Sequence, residues 1–184
     1  MKAIDSFLQK WRMQVAMRQL PRQVKLIDVG AHNGELFEAL GTQLVEGFGI
    51  EPLLPFRTQF PKYCLEPGYF PQVHPEKGGW DAITLLAVLE HIQPSQQKSL
   101  ADACWEILRP GGLVIITVPS PSVDSLLFVL KSMKLIDGMS LEEHFGFQPE
   151  DAKRIFSKPR FRLIQHKRFQ MGLNHLFVFS KLEL

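Results

Sequence analysis

The sequence predicts an α/β fold built on a doubly wound, mostly parallel sheet. Three of its five long apolar runs are continuous: "KLIDVG" (25–30), "DAITLL" (81–86) and "GLVIITVP" (112–119). Continuous apolar runs are typical of parallel strands that helices cover on both faces. The last two runs, "RLIQHKRF" (162–169) and "NHLFVFSKL" (174–182), alternate more, which predicts antiparallel strands near a sheet edge.

Length and composition predict a single domain over residues 1–184. Apolar residues make up 45% of the chain and charged residues 22%, the balance of an ordinary globular domain. A net charge of +2 gives no reason to expect nucleic acid as a partner. Cys64 and Cys104 lack disulfide or metal-site spacing, and no apolar run approaches the length of a membrane span. We therefore expect a cytoplasmic protein with no membrane partner; its oligomeric state stays open.

An amphipathic helix is predicted within residues 1–21, where it would cap the domain. Its apolar residues recur at helical spacing, and Pro21 ends the pattern. They are Ile4, Phe7, Leu8, Trp11 and Val15. The basic residues between them are interpreted as a solvated face.

The middle of the chain alternates between helix and strand patterns. "GELFEALGTQ" (34–43) predicts a helix, and "EGFGIEP" (46–52) a short strand. A helix entered at Pro94 has an apolar stripe and is expected to stop at Gly111-Gly112. The stripe comprises Leu100, Ala103, Cys104, Ile107 and Leu108, so Cys104 is expected to be a core residue. A further helix is expected to begin at Pro149.

Residues 52–80 fit this pattern poorly, because six prolines fall within them. The sequence here predicts only a short helical turn near Phe56–Phe60 and a weak strand near Tyr69–Val73. Whether a full strand lies in this region stays open.

The turn after the first strand carries the most informative chemistry. In a dinucleotide-binding turn, glycines at the first, third and sixth positions let backbone amides approach a pyrophosphate. Here those positions hold Gly30, His32 and Glu35, so two of the three glycines are missing. Asp28 and Glu35 would also repel a phosphate and attract a positive group such as an amino acid's ammonium. An Asp-x-Gly at the end of a strand is also an ordinary turn.

Glu51 adds a second acidic position, at the end of the second strand. It follows Gly30 by about twenty residues, the spacing at which an acidic residue in a βαβ unit accepts hydrogen bonds from ribose hydroxyls. The site would therefore offer carboxylates to a ribose and to an ammonium group without a phosphate cradle. S-adenosylmethionine has both of these features.

Four motifs in series resemble those of the class I S-adenosylmethionine-dependent methyltransferases, in the order of that family. They are "IDVGAHNG", "GFGIEP", "WDAITLLAVLEHI" and "LRPGGLVIITVPSP". The resemblance extends from Lys25 to Lys181 and is most specific at "AVLEHI" and "LRPGG". It implies a Rossmann-like sheet of seven strands with an antiparallel last strand. It also implies methyl transfer from S-adenosyl-L-methionine to an oxygen, nitrogen or carbon of a small-molecule acceptor.

The resemblance also implies roles for individual residues. Asp28 would orient the turn and the methionine ammonium, the glycines would allow close backbone approach, and Glu51 would hold the ribose. The cofactor-binding residues implied are Asp28, Gly30, Ala31, His32, Gly34, Glu51, Leu86 and Ala87. His32 stands where the family often has glycine. The acid that would bind adenine is unassigned, with Glu66 and Glu76 as candidates.

Glu90 and His91 are the candidate catalytic residues. They follow the "DAITLL" strand, where a transferred methyl would emerge in this fold, and His91 could accept a proton near neutral pH. A capping or loop-orienting histidine is the alternative. Some relatives bind a divalent metal through Glu-x-x-Glu-His, but Ala87 replaces the first carboxylate here. We expect no metal unless Glu143 or His144 replaces that ligand.

Residues 121–147 lie over the substrate side of the cleft in this family. The segment is rich in Leu, Val and Met at near-helical spacing, which favours either a core helix or a mobile apolar lid over the substrate. His144 within it is the candidate substrate-binding residue.

Three other functions were compared with a small-molecule methyltransferase. A catalytically inactive methyltransferase-like binding module would explain His32 and the irregular region 52–80. A nicotinamide dehydrogenase is disfavoured by the missing phosphate turn. A nucleic-acid methyltransferase would need a basic and aromatic stripe, which the sequence lacks.

Overall fold

The computed structural model describes residues 2–120 and 147–183. Its α-helices are α1 (Lys2–Met17), α2 (Glu35–Leu40), α3 (Pro94–Ile107) and α4 (Asp151–Ile155). Its strands are β1 (Val24–Val29), β2 (Leu44–Glu51), β3 (Thr58–Gln59), β4 (Tyr63–Pro67), β5 (Trp80–Leu86), β6 (Leu108–Pro119), β7 (Phe161–Phe169) and β8 (Asn174–Lys181). The candidate lid, 121–147, and His144 within it lie outside the described residues, apart from residue 147.

The described strands form one sheet in the order β3-β4-β2-β1-β5-β6-β8-β7. The central pairs β4–β2, β2–β1, β1–β5 and β5–β6 are parallel, whereas β8 is antiparallel to both β6 and β7. The predicted fold class, a mostly parallel Rossmann-like sheet with an antiparallel last strand, is confirmed. The two-residue β3 is an eighth strand beyond the seven that were expected.

The region 52–80 contains a strand at a position that the sequence did not predict. β4 occupies Tyr63–Pro67 and pairs in parallel with β2, whereas the strand predicted at Tyr69–Val73 is a turn. The helical turn predicted at Phe56–Phe60 is also wrong, because Thr58–Gln59 forms β3. The prolines flank β4 instead of interrupting it: Pro61 precedes it and Pro67 is its last residue, a position where a missing ladder donor is tolerated.

The boundary between α3 and β6 also differs from the prediction. The helix ends at Ile107 and the strand begins at Leu108, so Gly111 and Gly112 lie inside β6 and do not terminate the helix. Leu108 pairs with Trp80 of β5, and the register shifts before Ala82. Gly111 has φ of 73°, a conformation that suits glycine at a bulge.

The two faces of the sheet carry different helices. Val114 and Ile116 of β6 belong to the core that also contains the apolar stripe of α3, where Cys104 is fully buried as predicted. Ile115 packs on the opposite face with Val15 and Ala16 of α1. Residues of even number on β1, and on β5 from Ala82 onward, face the α1 side as well, as Leu26 and Ala82 show. This parity decides which side chains of the central strands can reach a site beside α1.

Within residues 2–120 and 147–183, no helix is both long and apolar enough to cross a membrane. The cytoplasmic location stays a prediction.

Two isoleucines on the sheet provide a matched test of this core. Ile83 of β5 is fully buried, whereas Ile164 of β7 is 55% exposed. We expect Ile83→Ala to lower the free energy of unfolding by about 2–5 kcal/mol, because it leaves a cavity between packed layers. Ile164→Ala should change it by less than about 1 kcal/mol. Urea denaturation followed by circular dichroism measures both; equal losses would contradict the assigned layers.

Candidate functional site

Asp28 and Thr84 form a polar pair at the carboxyl end of the two central strands. They are register partners on β1 and β5, so their side chains project from the same face of the sheet. The Thr84 hydroxyl donates a hydrogen bond of 2.6 Å to Oδ1 of Asp28, and both side chains are buried. The strand pairing therefore fixes the position of a carboxyl group inside the protein.

Burial dominates the protonation of this carboxyl group. It raises the pKa of Asp28 to about 7, with smaller contributions in the same direction from Glu35 and Glu51 and an opposing one from the Thr84 hydrogen bond. Removing a charged carboxylate from water is costly unless a positive partner compensates for it. A positively charged group placed beside Asp28 would stabilise its carboxylate form.

The turn after β1 uses its own backbone amides internally. Each of the five amides from 30 to 34 donates to an acceptor of the protein. Gly30 and Ala31 donate to the Ile50 carbonyl at 2.8 and 3.1 Å, and Gly34 donates to the Ala31 carbonyl at 2.8 Å. The other two amides donate to carboxylates, His32 to Glu51 at 3.1 Å and Asn33 to Glu35 at 3.1 Å. No amide of the turn is left to bind a phosphate, in contrast to a dinucleotide-binding turn.

His32 occupies the left-handed conformation that glycine would otherwise supply. Its φ is 49°, and its amide donates to Oε2 of Glu51. The ring is exposed and its Nδ1 lies 2.8 Å from Oε1 of Glu35. Although partial burial acts to raise it, the contacts with His32 contribute to holding the pKa of Glu35 below its usual value. The backbone of His32 therefore replaces glycine while its ring stays at the surface.

Gly30 makes the floor of the turn and cannot carry a side chain. Its φ is 78°, and a Cβ built on it would lie 2.6 Å from Cγ2 of Val88. Only glycine combines this backbone conformation with so close an approach. The turn and the segment after β5 are consequently in direct contact.

A cavity of about 640 Å³ opens beside this turn. Its lining combines the turn with one side of α1, and comprises Ser6, Gln9, Arg12, Met13, Asp28, Gly30, Ala31, His32, Glu35, Leu36 and Leu86. Five of the eight predicted cofactor-binding residues are therefore brought together there. The four α1 residues were not predicted, since helical periodicity identified the apolar face of α1 but not what its polar residues face.

The other three predicted cofactor residues lie around the cavity without lining it. Gly34 is the N-cap of α2 with φ of 85°, and Ala87 has φ of 60° and donates its amide to Thr117. Glu51 ends β2 and is nearly buried. Its two carboxylate oxygens accept hydrogen bonds from the amides of His32 and Leu53.

Glu90 and His91 lie in a 3₁₀ turn, Leu89–His91, directly after the segment that contacts Gly30. Glu90 is buried and His91 is partly buried. Neither side chain lines the cavity beside α1. Within the described part of the chain, no three His, Cys, Asp or Glu side chains are grouped in a way that could hold a metal ion; the expectation of a metal-free site stays a prediction.

A comparison with models of known protein families assigns most of the chain to one type of domain. A family model described as a methyltransferase domain matches residues 2–166. The chain belongs to the class I S-adenosylmethionine-dependent methyltransferase family. The resemblance drawn from the four sequence motifs is therefore confirmed.

Curated relatives within this family are distant. The ubiquinone biosynthesis O-methyltransferase of Cronobacter sakazakii is 29% identical over 115 residues, which cover 58% of this chain and 46% of that protein. The chain thus spans about half the length of the first curated methyltransferases it matches.

Solved methyltransferases share the fold at low identity. A chain from the Haloferax volcanii complex between the Trm112 methyltransferase activator and a methyltransferase superposes with a TM-score of 0.72 at 13% identity, covering 99% of this chain and 94% of that one. The 1,6-didemethyltoxoflavin-N1-methyltransferase of Burkholderia thailandensis, solved with 1,6-didemethyltoxoflavin and S-adenosylhomocysteine, has a TM-score of 0.67 at 14% identity. It covers 94% of this chain and 77% of its own. These likenesses establish the fold.

Two substitutions at His32 separate its backbone from its ring. Both His32→Gly and His32→Val remove the contact with Glu35, but only valine is strained at positive φ. We expect His32→Gly to change the free energy of unfolding by less than about 1 kcal/mol and His32→Val to lower it by about 1–2 kcal/mol. Thermal and urea unfolding measure the difference. Equal losses in the two variants would mean that the ring, not the backbone, holds the turn.

Proposed function

We propose that this chain binds S-adenosyl-L-methionine and transfers its methyl group to an oxygen, nitrogen or carbon of a small-molecule acceptor. The observation that carries the proposal is the pairing of a buried carboxyl group, Asp28, with a glycine turn whose amides are all used internally. Such a turn suits a nucleoside ligand that brings a positive charge and no phosphate. S-adenosyl-L-methionine has this chemistry.

The charges around the cavity support an amino-acid group as the bound end. Asp28 and Glu35 lie on the turn side, and Arg12 lies on the α1 side. An ammonium placed near Asp28 and a carboxylate placed near Arg12 would each meet the opposite charge. A volume of about 640 Å³ is in the range of small-molecule and cofactor sites. The residues present therefore fit the methionine end of the cofactor.

Glu51 is proposed to hold the ribose. Each of its carboxylate oxygens accepts one backbone hydrogen bond in the structure and retains a second lone pair for a hydroxyl donor. The two backbone amides fix the carboxylate orientation before the ligand arrives. This is a positioned acceptor for vicinal hydroxyl groups.

Leu53 and Tyr69 are proposed to cover the adenine ring. They follow β2 and β4, neighbouring strands whose last paired residues are Glu51 and Pro67. Their side chains are 86% and 69% exposed, although large apolar and aromatic groups gain free energy on burial against a ring. The acid that would bind adenine is not assigned. Glu66, one of the two candidates for that acid, forms an ion pair with Arg57 at 3.3 Å.

The cofactor supplies a methyl group on a positively charged sulfur. The chain's part is to position the acceptor, exclude water and remove a proton from the acceptor atom. His91 is the proposed base, since an imidazole can accept a proton near neutral pH. Glu90, buried beside it in the 3₁₀ turn, is proposed to orient the histidine. His144 is kept as the proposed substrate-binding residue, outside the described part of the chain.

The relatives support a small-molecule acceptor. The matched proteins include an O-methyltransferase of ubiquinone biosynthesis and an N1-methyltransferase of 1,6-didemethyltoxoflavin. They differ in the acceptor atom, so the proposal leaves that atom open.

Two features of the sequence suggested an inactive binding module, His32 in the turn and the irregular region 52–80, and neither requires one. His32 adopts the backbone conformation of glycine and its amide reaches Glu51. The irregular region 52–80 contains β4 in the parallel position next to β2. The features that suggested an eroded site are thus compatible with an intact one.

Substituting the two acidic residues tests the proposed cofactor site. We expect Asp28→Asn and Glu51→Gln each to weaken S-adenosyl-L-methionine binding by about 10- to 100-fold, because each removes a charge-assisted hydrogen bond. Isothermal titration calorimetry measures the affinities. Glu106→Gln, at an exposed position of α3, is the matched control and should bind like the unsubstituted protein. Unchanged affinity in both site variants would overturn the site assignment, and no binding by the unsubstituted protein would overturn the proposed function.

The raised pKa of Asp28 predicts that cofactor affinity depends on pH. With a pKa of about 7, Asp28 is mostly protonated below that pH, whereas an ammonium ligand requires the carboxylate. Binding should therefore release a proton, and affinity should rise by up to about tenfold per pH unit between pH 5.5 and 7 and then level off. The stability of the protein without ligand changes with pH in the opposite direction. Because folding raises the pKa of Asp28 above 3.8, this group stabilises the folded protein at low pH, and the contribution is lost as pH rises through about 7.

Calorimetry in two buffers with different ionisation enthalpies measures the released proton directly. Asp28→Asn should remove most of this pH dependence, whereas Glu106→Gln should retain it. A slope that persists in Asp28→Asn would assign the proton to another group.

A further inference from the structure

A second cavity lies between α3 and α4, on the face of the sheet opposite α1. Its volume is about 460 Å³. The floor includes Ala101 of α3 and Phe161 of β7, both buried. We call this cavity the interhelical groove; its lining is Pro94, Gln97, Lys98, Ala101, Asp102, Arg154, Ile155, Ser157, Lys158, Pro159, Arg160 and Phe161. The lining of the proposed cofactor cavity shares no residue with it.

Four of the side chains that line the groove are cationic and one is acidic. The cations are Lys98, Arg154, Lys158 and Arg160, and the acid is Asp102. The whole chain has a net charge of only +2. The groove therefore concentrates positive charge on a protein that is otherwise nearly neutral.

Arg154 and Arg160 each contact other side chains of the protein. Nη2 of Arg154 donates to Oε1 of the buried Gln97 at 3.2 Å and lies 3.5 Å from Oδ1 of Asp151. Arg160 pairs with Asp102 and lies 5.3 Å from the ring centre of Trp105. A guanidinium has five N–H donors, and these contacts occupy only some of them. The contacts of Arg160 with Asp102 and Trp105 restrict the motion of its guanidinium, which lowers the entropy cost of binding an anion there.

The two lysines have no carboxylate to neutralise them within the described residues. Neither Lys98 nor Lys158 forms a salt bridge with a described residue, and both are exposed. Asp102 is already paired with Arg160. Because each arginine contacts an aspartate, the surplus of positive charge in the groove comes from Lys98 and Lys158.

We propose that the interhelical groove binds a small phosphate-bearing anion, at a site separate from the proposed cofactor cavity. Planar guanidinium groups and ammonium groups together match the geometry and charge of a phosphoryl group. A volume of about 460 Å³ accommodates a small ligand and not a long polyanion. The apolar floor formed by Ala101, Ile155 and Phe161 provides a surface for the ligand's carbon skeleton.

Titration of the full chain with inorganic pyrophosphate tests the proposal. We expect saturable binding by calorimetry, together with shifts of the Gln97 side-chain amide and arginine Nε signals in ¹H–¹⁵N spectra. Lys98→Ala with Lys158→Ala should weaken this binding about tenfold or more, since two charge-assisted contacts are removed. Neither lysine packs in a core cluster, so the double variant should melt like the unsubstituted protein.

The matched control removes two exposed lysines elsewhere, Lys62→Ala with Lys77→Ala, and should leave pyrophosphate binding unchanged. Saturating S-adenosylhomocysteine should also leave it unchanged; loss of pyrophosphate binding on its addition would place pyrophosphate in the proposed cofactor site and overturn the proposal. Equal weakening in both double variants would indicate a diffuse charge effect and overturn the proposal. Binding of a single-stranded oligonucleotide without binding of pyrophosphate would overturn it in favour of a nucleic-acid surface.

Discussion

The buried carboxyl group of Asp28 is the constraint on which the rest of the site depends. The parallel pairing of β1 and β5 places it opposite Thr84, and the hydroxyl of that residue fixes one of its oxygens. Burial then raises its pKa to about 7. A buried neutral acid costs less free energy than a buried unpaired charge, but a cationic ligand would reverse this preference. Ligand charge and side-chain protonation are therefore coupled by the register of two strands.

The same physical argument explains the turn. A phosphate-binding turn must leave amides unsatisfied, whereas here Glu51 and Glu35 accept those of His32 and Asn33. Carboxylates that accept backbone donors make the turn negative as well as closed. His32 can replace glycine because the turn needs its left-handed backbone and its amide, and its ring has room at the surface. The identity of the residue matters less than its φ.

The sequence predicts those parts of the fold and the site that depend on local residue patterns, and misses those that depend on tertiary packing. Continuous apolar runs located β1 and β5, and the turn's charges indicated the class of ligand. β4 was missed because prolines outweighed a short buried run, Tyr63 to Leu65, although prolines at strand ends do not break the ladder. The end of α3 was misplaced because Gly111 marks a bulge inside β6, not a helix terminus. The contribution of α1 to the cavity depends on tertiary packing, which no local pattern encodes.

That contribution bears on how the proposed enzyme would distinguish its cofactor from the product. The methionine end is the same in S-adenosylmethionine and S-adenosylhomocysteine, so contacts from Asp28 and Arg12 would hold both equally. Contacts that are equally strong in the reactant state and the transition state do not accelerate the reaction. Under the proposed function, discrimination would arise where the sulfur's charge is lost, which the proposal places near Leu86 and the 3₁₀ turn that follows it. In the same proposal, α1 and the glycine turn would supply affinity, and the segment after β5 would supply the chemistry.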